Sequence, residues 1–344
     1  KIILLGSRNE YAQLREYDED FDNFFPFLAD FHGHYATQNE PVAPYFNYLQ
    51  YVWQLADVLP LSTDGYSALL RVCARYTDYQ QDLTLNTIQL LQLLREANDC
   101  ALQNQHAKID KAAIDLALQQ QRDREGNLAE LSRRSILEQQ VRIDTHGSAV
   151  GQLNGLTVVT MGGSEFGEPS RITATIHYGD GDIIDIERKS DLSGNIHTKG
   201  VMILSAYLAN QFARHEPLSV SATVVFEKSY YEVDGDSASL GELCCLISAL
   251  AEQPLKQSLA ITGAIDQFGN VQSIGAVNEK IEGYYALCAH RGLNGEQGVI
   301  IPQSNRHQLN LNDDIIDAVK AGKFHVYTVE HVEEALELLT DTPV

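Results

Sequence analysis

Two side chains in this 344-residue chain have the type and setting for acyl-transfer chemistry, Ser237 and Lys280. Ser237 lies in Val233-Asp234-Gly235-Asp236-Ser237-Ala238-Ser239-Leu240-Gly241-Glu242, an acidic, glycine-bearing turn that runs into an apolar stretch, residues 243–250. That order predicts a loop delivering a serine to the first turn of a buried helix. A helix start has free backbone N–H groups and partial positive charge, so a serine there sits beside donors able to hold an oxyanion. Hydrolysis also needs the hydroxyl proton removed. No histidine stands in a nucleophile-elbow arrangement, and Gly-x-Ser-x-Gly is absent at Ser237. A lysine can serve when neutral, and burial in an apolar pocket lowers its pKa. Lys280 is flanked by Ala276, Val277, Ile281 and Gly283. It falls in the first turns of a predicted helix, whose positive end disfavours the ammonium. Thr262, ending a predicted strand, could orient the amine through its hydroxyl. A plainer reading fits the same residues: Ser239-x-x-Glu242 matches a capping box, Asp236, Ser237 or Ser239 serves as the cap, and Lys280 is a surface ammonium.

The elements that must position these groups fall into two compositional halves. Residues 1–31 read as strand, helix, strand. Ile2-Ile3-Leu4-Leu5 is apolar enough for a strand buried on both faces, and Phe21, Phe24, Phe25 and Phe27 read as core aromatics. Residues 44–125 are helical, with segments from Tyr45 to Leu55, Thr63 to Tyr79, Thr84 to Cys100 and Ala112 to Gln121, the last capped by Asp110. Gln119 to Arg134 reads as a long solvated helix or connector. Near Asp144 the composition shifts to glycine and β-branched residues. Strands are expected at Gly151–Val159 and Ser170–His177, with Gly162-Gly163-Ser164 as the turn between them. Val220–Phe226, Leu259–Gly263, Val299–Pro302 and His325–Val329 also read as strands. Helices are expected at Lys199–Ala213, Asn278–His290, Asp313–Ala321 and Val332–Leu339. The fold class is therefore α+β and multidomain, with a mostly helical first part and a mixed α/β second part.

With 47 acidic against 25 basic side chains, the net charge is −22, which argues against nucleic acid as a partner. The five cysteines are scattered and form no CxxC pair, so a reducing cytoplasm is the expected setting. No apolar run approaches transmembrane length. His32 and His34 have strand spacing rather than the spacing of a metal-binding helix, and no metal is assigned. The chain opens in a strand-like run without an initiator Met, which suggests a piece of a longer polypeptide. A dinucleotide-binding enzyme is a poor fit, because no Gly-x-Gly-x-x-Gly follows a strand with the required acid downstream.

The second part, from about 145 to 340, resembles the proteolytic domain of Lon proteases. Val233-Asp-Gly-Asp-Ser-Ala-Ser239 is similar to that family's nucleophile motif, with Ser237 at its serine and Asp234 at its acidic residue. Gly275-Ala-Val-Asn-Glu-Lys280 is similar to the family's Gly-Gly-Val-Lys-Glu-Lys, with Lys280 at its lysine, and the 43-residue separation of the pair fits. Leu259-Ala-Ile-Thr262-Gly263 resembles the strand whose threonine contacts that lysine, and Gly151-Gln-Leu-Asn-Gly155-Leu resembles the strand that opens the domain. The first part resembles the end of the AAA+ module of the same proteins, in the archaeal-like branch and its bacterial homologues. Its late core looks like Ile3–Ser7, Tyr17–Phe21 and Ala29–Phe31, and its lid like Ala74-Arg75-Tyr76-Thr77, Leu83-Thr84 and Leu94–Ala97. Asn86 departs from the basic residue often found in the lid.

The resemblance implies residues 1–43 as the end of an AAA+ core, 44–143 as the helical lid and connector, and 144–344 as the proteolytic domain. It implies a serine endopeptidase with a Ser237–Lys280 dyad, supported by Thr262, Asp234 and Asp236. Arg75 falls near the sensor arginine that contacts nucleotide. The implied partners are protein or peptide substrates and other copies of the chain in a hexameric ring. No Walker A or Walker B motif occurs, so this chain alone is expected to bind no ATP or Mg²⁺; an upstream half would supply both. The alternative reading is a latent module acting in assembly or regulation, in which the paired aspartates hold the lysine charged.

Overall fold

The architecture follows from a computed structural model that describes residues 1–38, 40–161, 164–213, 219–227 and 234–343. Val233 and the Gly162-Gly163 turn lie outside the described residues. The chain is α+β and multidomain.

The first part is built of helices α1 (Arg8–Tyr17), α2 (Ala43–Ala56), α3 (Thr63–Arg75), α4 (Thr87–Gln103), α5 (Lys111–Glu125) and α6 (Asn127–Leu137). Four of them start where a short polar side chain accepts a bond from the free N–H groups of the first turn: Ser7 from Glu10, Ser62 from Gly65, Asn86 from Gln89 and Asp110 from Ala113. Tyr45, Leu49, Leu69, Leu90, Leu94 and Ile114 of α2 to α5 form one buried core. Gly126 separates α5 from α6, so the polar connector is two helices rather than one.

Residues 1–31 depart from expectation. Ile2, Ile3, Leu4 and Leu5 form no strand and are 77, 83, 53 and 92% exposed. Nor does a strand follow α1 within residues 1–31: residues 25–32 have no regular structure, and the next strand is His34–Ala36, paired with Asp82–Thr84. Phe21 is buried and stacks near Phe25, but Phe24 and Phe27 are exposed. An apolar run becomes a strand only where another strand pairs with it, and none of the described strands does so here.

The second part is a seven-stranded mixed sheet. Its strands are β1 (Gln152–Met161), β2 (Ser164–Tyr178), β3 (Ile183–Asp185), β4 (Val220–Phe226), β5 (Leu259–Ile261), β6 (Gly298–Pro302) and β7 (His325–Val329), in the order β7-β6-β5-β1-β2-β4-β3. β1 and β2 form a long antiparallel hairpin, and β5 runs parallel to both β1 and β6. Helices α7 (Asn195–Phe212), α8 (Ser239–Ala251), α9 (Val277–Arg291), α10 (Asp313–Lys320) and α11 (Val332–Thr340) complete the part. One apolar core unites α7, α8 and α11 with the sheet, and a second unites α9 and α10 with it. Helix α8 is buried on nearly every side from Ser239 to Leu246, as a helix apolar all round must be. Helix α9 comes unusually close to β2. A Cβ on Gly167 would stand 2.1 Å from the Glu279 carbonyl, and one on Gly283 would stand 1.9 Å from the Gly167 carbonyl. Two glycines thus set the height of α9, and of Lys280 on it, above the sheet.

The first part docks on the second through ions. Arg71 and Lys111 meet Asp313 at 2.5 and 2.8 Å. Arg75 meets Glu279 and Glu282 of α9 at 2.6 and 3.1 Å, and donates to the Asn310 carbonyl.

Candidate active site

Three elements converge on Ser237. The first is the turn before α8. The helix begins at Ser239 with Ala238 as its N-cap, so Ser237 precedes the helix instead of lying in its first turn. Backbone pairing sets this start: the Ser239 N–H donates to the Asp236 carbonyl at 3.0 Å, and the Leu240 N–H to the Gly263 carbonyl at 3.0 Å. The expected capping box is absent. The Ser239 hydroxyl donates to the Asp236 carbonyl (2.8 Å) and accepts from the Ile265 N–H (3.2 Å). Both carboxylate oxygens of Glu242 are buried without a hydrogen-bond partner among the described residues.

The second element is the end of β5. The Gly263 N–H donates to the Ser237 carbonyl at 2.8 Å, and the Thr262 hydroxyl donates to the same oxygen at 3.2 Å. This pairs the serine's backbone with a buried strand end. The third is α9, whose N-cap Ala276 is left-handed at φ 53°. A non-glycine residue rarely adopts that conformation, and its cost is of order 1–2 kcal/mol. It starts the helix so that Lys280 is its fourth residue and buried.

The Lys280 Nζ lies 2.9 Å from Ser237 Oγ and 3.1 Å from Thr262 Oγ1. The Thr262 hydroxyl spends its proton on the Ser237 carbonyl, so its lone pairs face the lysine and take an N–H from it. A neutral amine held this way turns its own lone pair toward Ser237 Oγ. Burial holds the Lys280 amine at about 8, below its usual 10.5, while the Asp236 carboxylate pulls in the opposite direction. Asp234 and Asp236 pack against the start of α7. The Asp234 side chain abuts Gly194, where a Cβ would stand 2.3 Å from its Oδ1, and Asp236 lies against Gly200 of α7. The arrangement can remove a hydroxyl proton and hand it back, which is the requirement for serine-based acyl transfer.

Arg75 does not join these residues. Its guanidinium rests on Glu279 and Glu282, directly beside Lys280 in sequence but on the docking face of α9. The sequence showed Arg75 as a lid residue; it gave no sign of these carboxylate partners, which lie 204 and 207 positions away.

This site defines a class first: a mixed α/β domain with a buried lysine on a serine hydroxyl, joined to a helical lid. The family model of the Lon protease C-terminal proteolytic domain matches residues 136–341, that of the archaeal LonB AAA+ ATPase lid domain matches 60–124, and that of the LonB-like AAA domain matches 1–32. The chain belongs to the Lon protease family. It is 40% identical over 341 residues to a Lon protease homolog of Escherichia coli, covering 98% of this chain and 58% of the relative. It is 41% identical over 343 residues to a Lon protease homolog of Haemophilus influenzae, covering 98% and 56%. An archaeal Lon protease of Thermococcus kodakarensis is 30% identical over 266 residues, covering 76% and 39%. The chain therefore spans less than three-fifths of these relatives' own length. No helix of the described residues is long and apolar enough to cross a membrane.

Proposed function

We propose that this chain is the proteolytic part of an ATP-dependent Lon-like protease and cleaves peptide bonds with a Ser237–Lys280 dyad. The observation that carries this reading is the 2.9 Å approach of a buried lysine amine to a serine hydroxyl. Neutral Lys280 takes the proton of Ser237 as its oxygen bonds to the scissile carbonyl carbon. The N–H groups of Ser237 and Asp236 receive the oxyanion, since those of Ser239 and Leu240 are committed to carbonyls. The resulting ammonium returns the proton to the departing amine as the C–N bond breaks. A water then attacks the acyl-enzyme ester, Lys280 takes the water's proton, and the serine oxygen leaves with that proton.

In this reading residues 1–43 end an AAA+ core, 44–143 form the lid and connector, and 144–344 form the proteolytic domain. ATP and Mg²⁺ belong to an upstream half, the assembly is a hexameric ring in the cytoplasm, and the substrates are proteins. Arg75 is assigned to joining lid and protease rather than to contacting nucleotide, on the strength of its two carboxylate partners.

The test is a fluorogenic peptide assay on the wild-type chain and on Ser237→Ala. Turnover should fall by about 10⁴-fold or more in the variant with the circular dichroism spectrum unchanged. Equal turnover in the two proteins refutes the dyad. The latent-module reading draws on the Asp236 carboxylate, which favours the charged lysine; it requires a wild-type chain without turnover at pH 9, where the amine is mostly neutral.

A further inference from the structure

Beyond the dyad, the fold gathers four ionisable side chains that the reaction does not use. Asp185 ends β3, Glu187 follows it, His197 lies in the first turn of α7 and Glu242 in the first turn of α8. Their relative exposures are 4, 3, 1 and 0%. His32 and His34 are not among them; this histidine and these carboxylates come from separate segments that only folding unites.

Each of two carboxylates has one oxygen fixed and one unpartnered. Asp185 Oδ1 accepts from the Glu187 N–H at 3.1 Å, and Glu187 Oε1 accepts from the Phe226 N–H at 2.9 Å. Asp185 Oδ2, Glu187 Oε2, His197 Nε2 and both oxygens of Glu242 have no hydrogen-bond partner among the described residues. One ligand atom from each of Asp185, Glu187 and His197 lies within 4.8 Å of the others. His197 Nε2 is 3.4 Å from Asp185 Oδ2 and 3.6 Å from Glu242 Oε1. An ion bonded at about 2.1 Å to tetrahedral donors sets them about 3.4 Å apart. The 3.4 Å between His197 Nε2 and Asp185 Oδ2 matches that edge and exceeds ordinary hydrogen-bond length. Three buried carboxylates also exceed what one imidazolium can neutralise.

We propose that Asp185, Glu187 and His197, with Glu242 closing the set, bind a divalent first-row transition-metal ion such as Zn²⁺ or Mn²⁺. The donor chemistry selects the ion: an imidazole with carboxylates suits these metals, whereas Ca²⁺ takes an all-oxygen shell and Mg²⁺ retains most of its waters. The anchored second oxygens are the outer-shell bonds that orient metal ligands. The role is structural. The ion ties the β3 end to the starts of α7 and α8. The start of α7 is the wall against which Asp234 and Asp236 rest, and α8 begins two residues after Ser237.

The test uses the whole chain and does not depend on peptidase activity. The protein is dialysed against a chelator and titrated with Zn²⁺, Mn²⁺, Co²⁺, Mg²⁺ and Ca²⁺. One equivalent of Zn²⁺ should bind and survive desalting. A hundredfold excess over Kd should raise Tm by about 5–10 °C for a domain of ~200 residues. The Co²⁺ form should show a tetrahedral visible spectrum without a thiolate charge-transfer band, which separates this site from the buried cysteines. The isosteric double variant Asp185→Asn, Glu187→Gln should lose the equivalent and the Tm response. Should that variant fail to fold, the wild-type stoichiometry and Co²⁺ spectrum decide. Absence of a Zn²⁺ or Mn²⁺ equivalent in the wild type overturns the site. So does its retention by a folded double variant, a thiolate band, or a Tm response to Mg²⁺ or Ca²⁺ alone.

Discussion

Replacing Lys280 by methionine separates the two consequences of burying an amine. The side chain keeps its length and apolar stem but loses the group that ionises. In the folded chain burial holds that amine at about 8, against 10.5 when free. Each unit of difference is worth 1.36 kcal/mol, so the ammonium costs the wild-type fold about 3 kcal/mol at pH 7. The sign follows from proton counts. Between pH 8 and 10.5 the unfolded chain binds more protons than the folded one, so wild-type stability rises with pH through that window. The methionine variant has no such term. It should therefore be inactive yet more stable at pH 7, by about 1–3 kcal/mol once the lost bonds to Ser237 and Thr262 are set against the relieved desolvation. That advantage should shrink by about 2 kcal/mol between pH 8 and pH 10. Urea unfolding of both proteins at pH 7, 8, 9 and 10 measures it. A variant less stable than wild type at pH 7, or a difference independent of pH, refutes a buried, depressed lysine. The same figure predicts the activity profile. The neutral fraction of an amine with a pKa of about 8 rises about tenfold from pH 7 to pH 9, and kcat/KM should follow it.

Two further substitutions probe the groups around the amine. Asp236 raises the Lys280 pKa, so Asp236→Asn should move the midpoint of the pH–rate profile below about 8; an unmoved or higher midpoint would show that its charge does not reach the lysine. Thr262→Val removes the hydroxyl 3.1 Å from Lys280 Nζ at nearly constant volume, and should lower kcat by about 10–100-fold with KM little changed. Thr262→Ser should recover most of that loss, and a fully active Thr262→Val enzyme would show that the amine needs no such orientation.

The ion pairs of Arg75 give the first part of the chain a physical connection to this chemistry. Glu279 immediately precedes Lys280, and Glu282 follows it by two positions. Burial and the neighbouring Glu279 push the Glu282 carboxyl up to about 7, against the opposing pull of Arg75. The guanidinium thus stands at an acidic face of α9, within one turn of the catalytic candidate.

What was legible in the sequence was local. The apolar run after Leu243 announces a helix buried all round, and the β-branched alternation around Ile172 announces a half-buried strand. Asp110 caps its helix as expected, whereas the helix expected from Thr84 starts at Thr87, capped by Asn86. Ser237, Lys280 and Thr262 were legible as candidates through short motifs. Tertiary structure decided what depended on distant partners. The Gly263 carbonyl takes the Leu240 N–H and helps start α8 after Ser237 rather than at it. Ile2–Leu5 has the composition of a strand, yet composition supplies no neighbour to pair with. Gly167 and Gly283 have meaning only because α9 crosses β2 there. His197 and three acids from separate elements became one buried cluster only when the sheet and α7 closed over them. Propensity, capping and periodicity act over a turn or a strand and can be read along the chain. The depressed lysine and the unpaired carboxylates arise from removal of water, which is a property of the packed molecule.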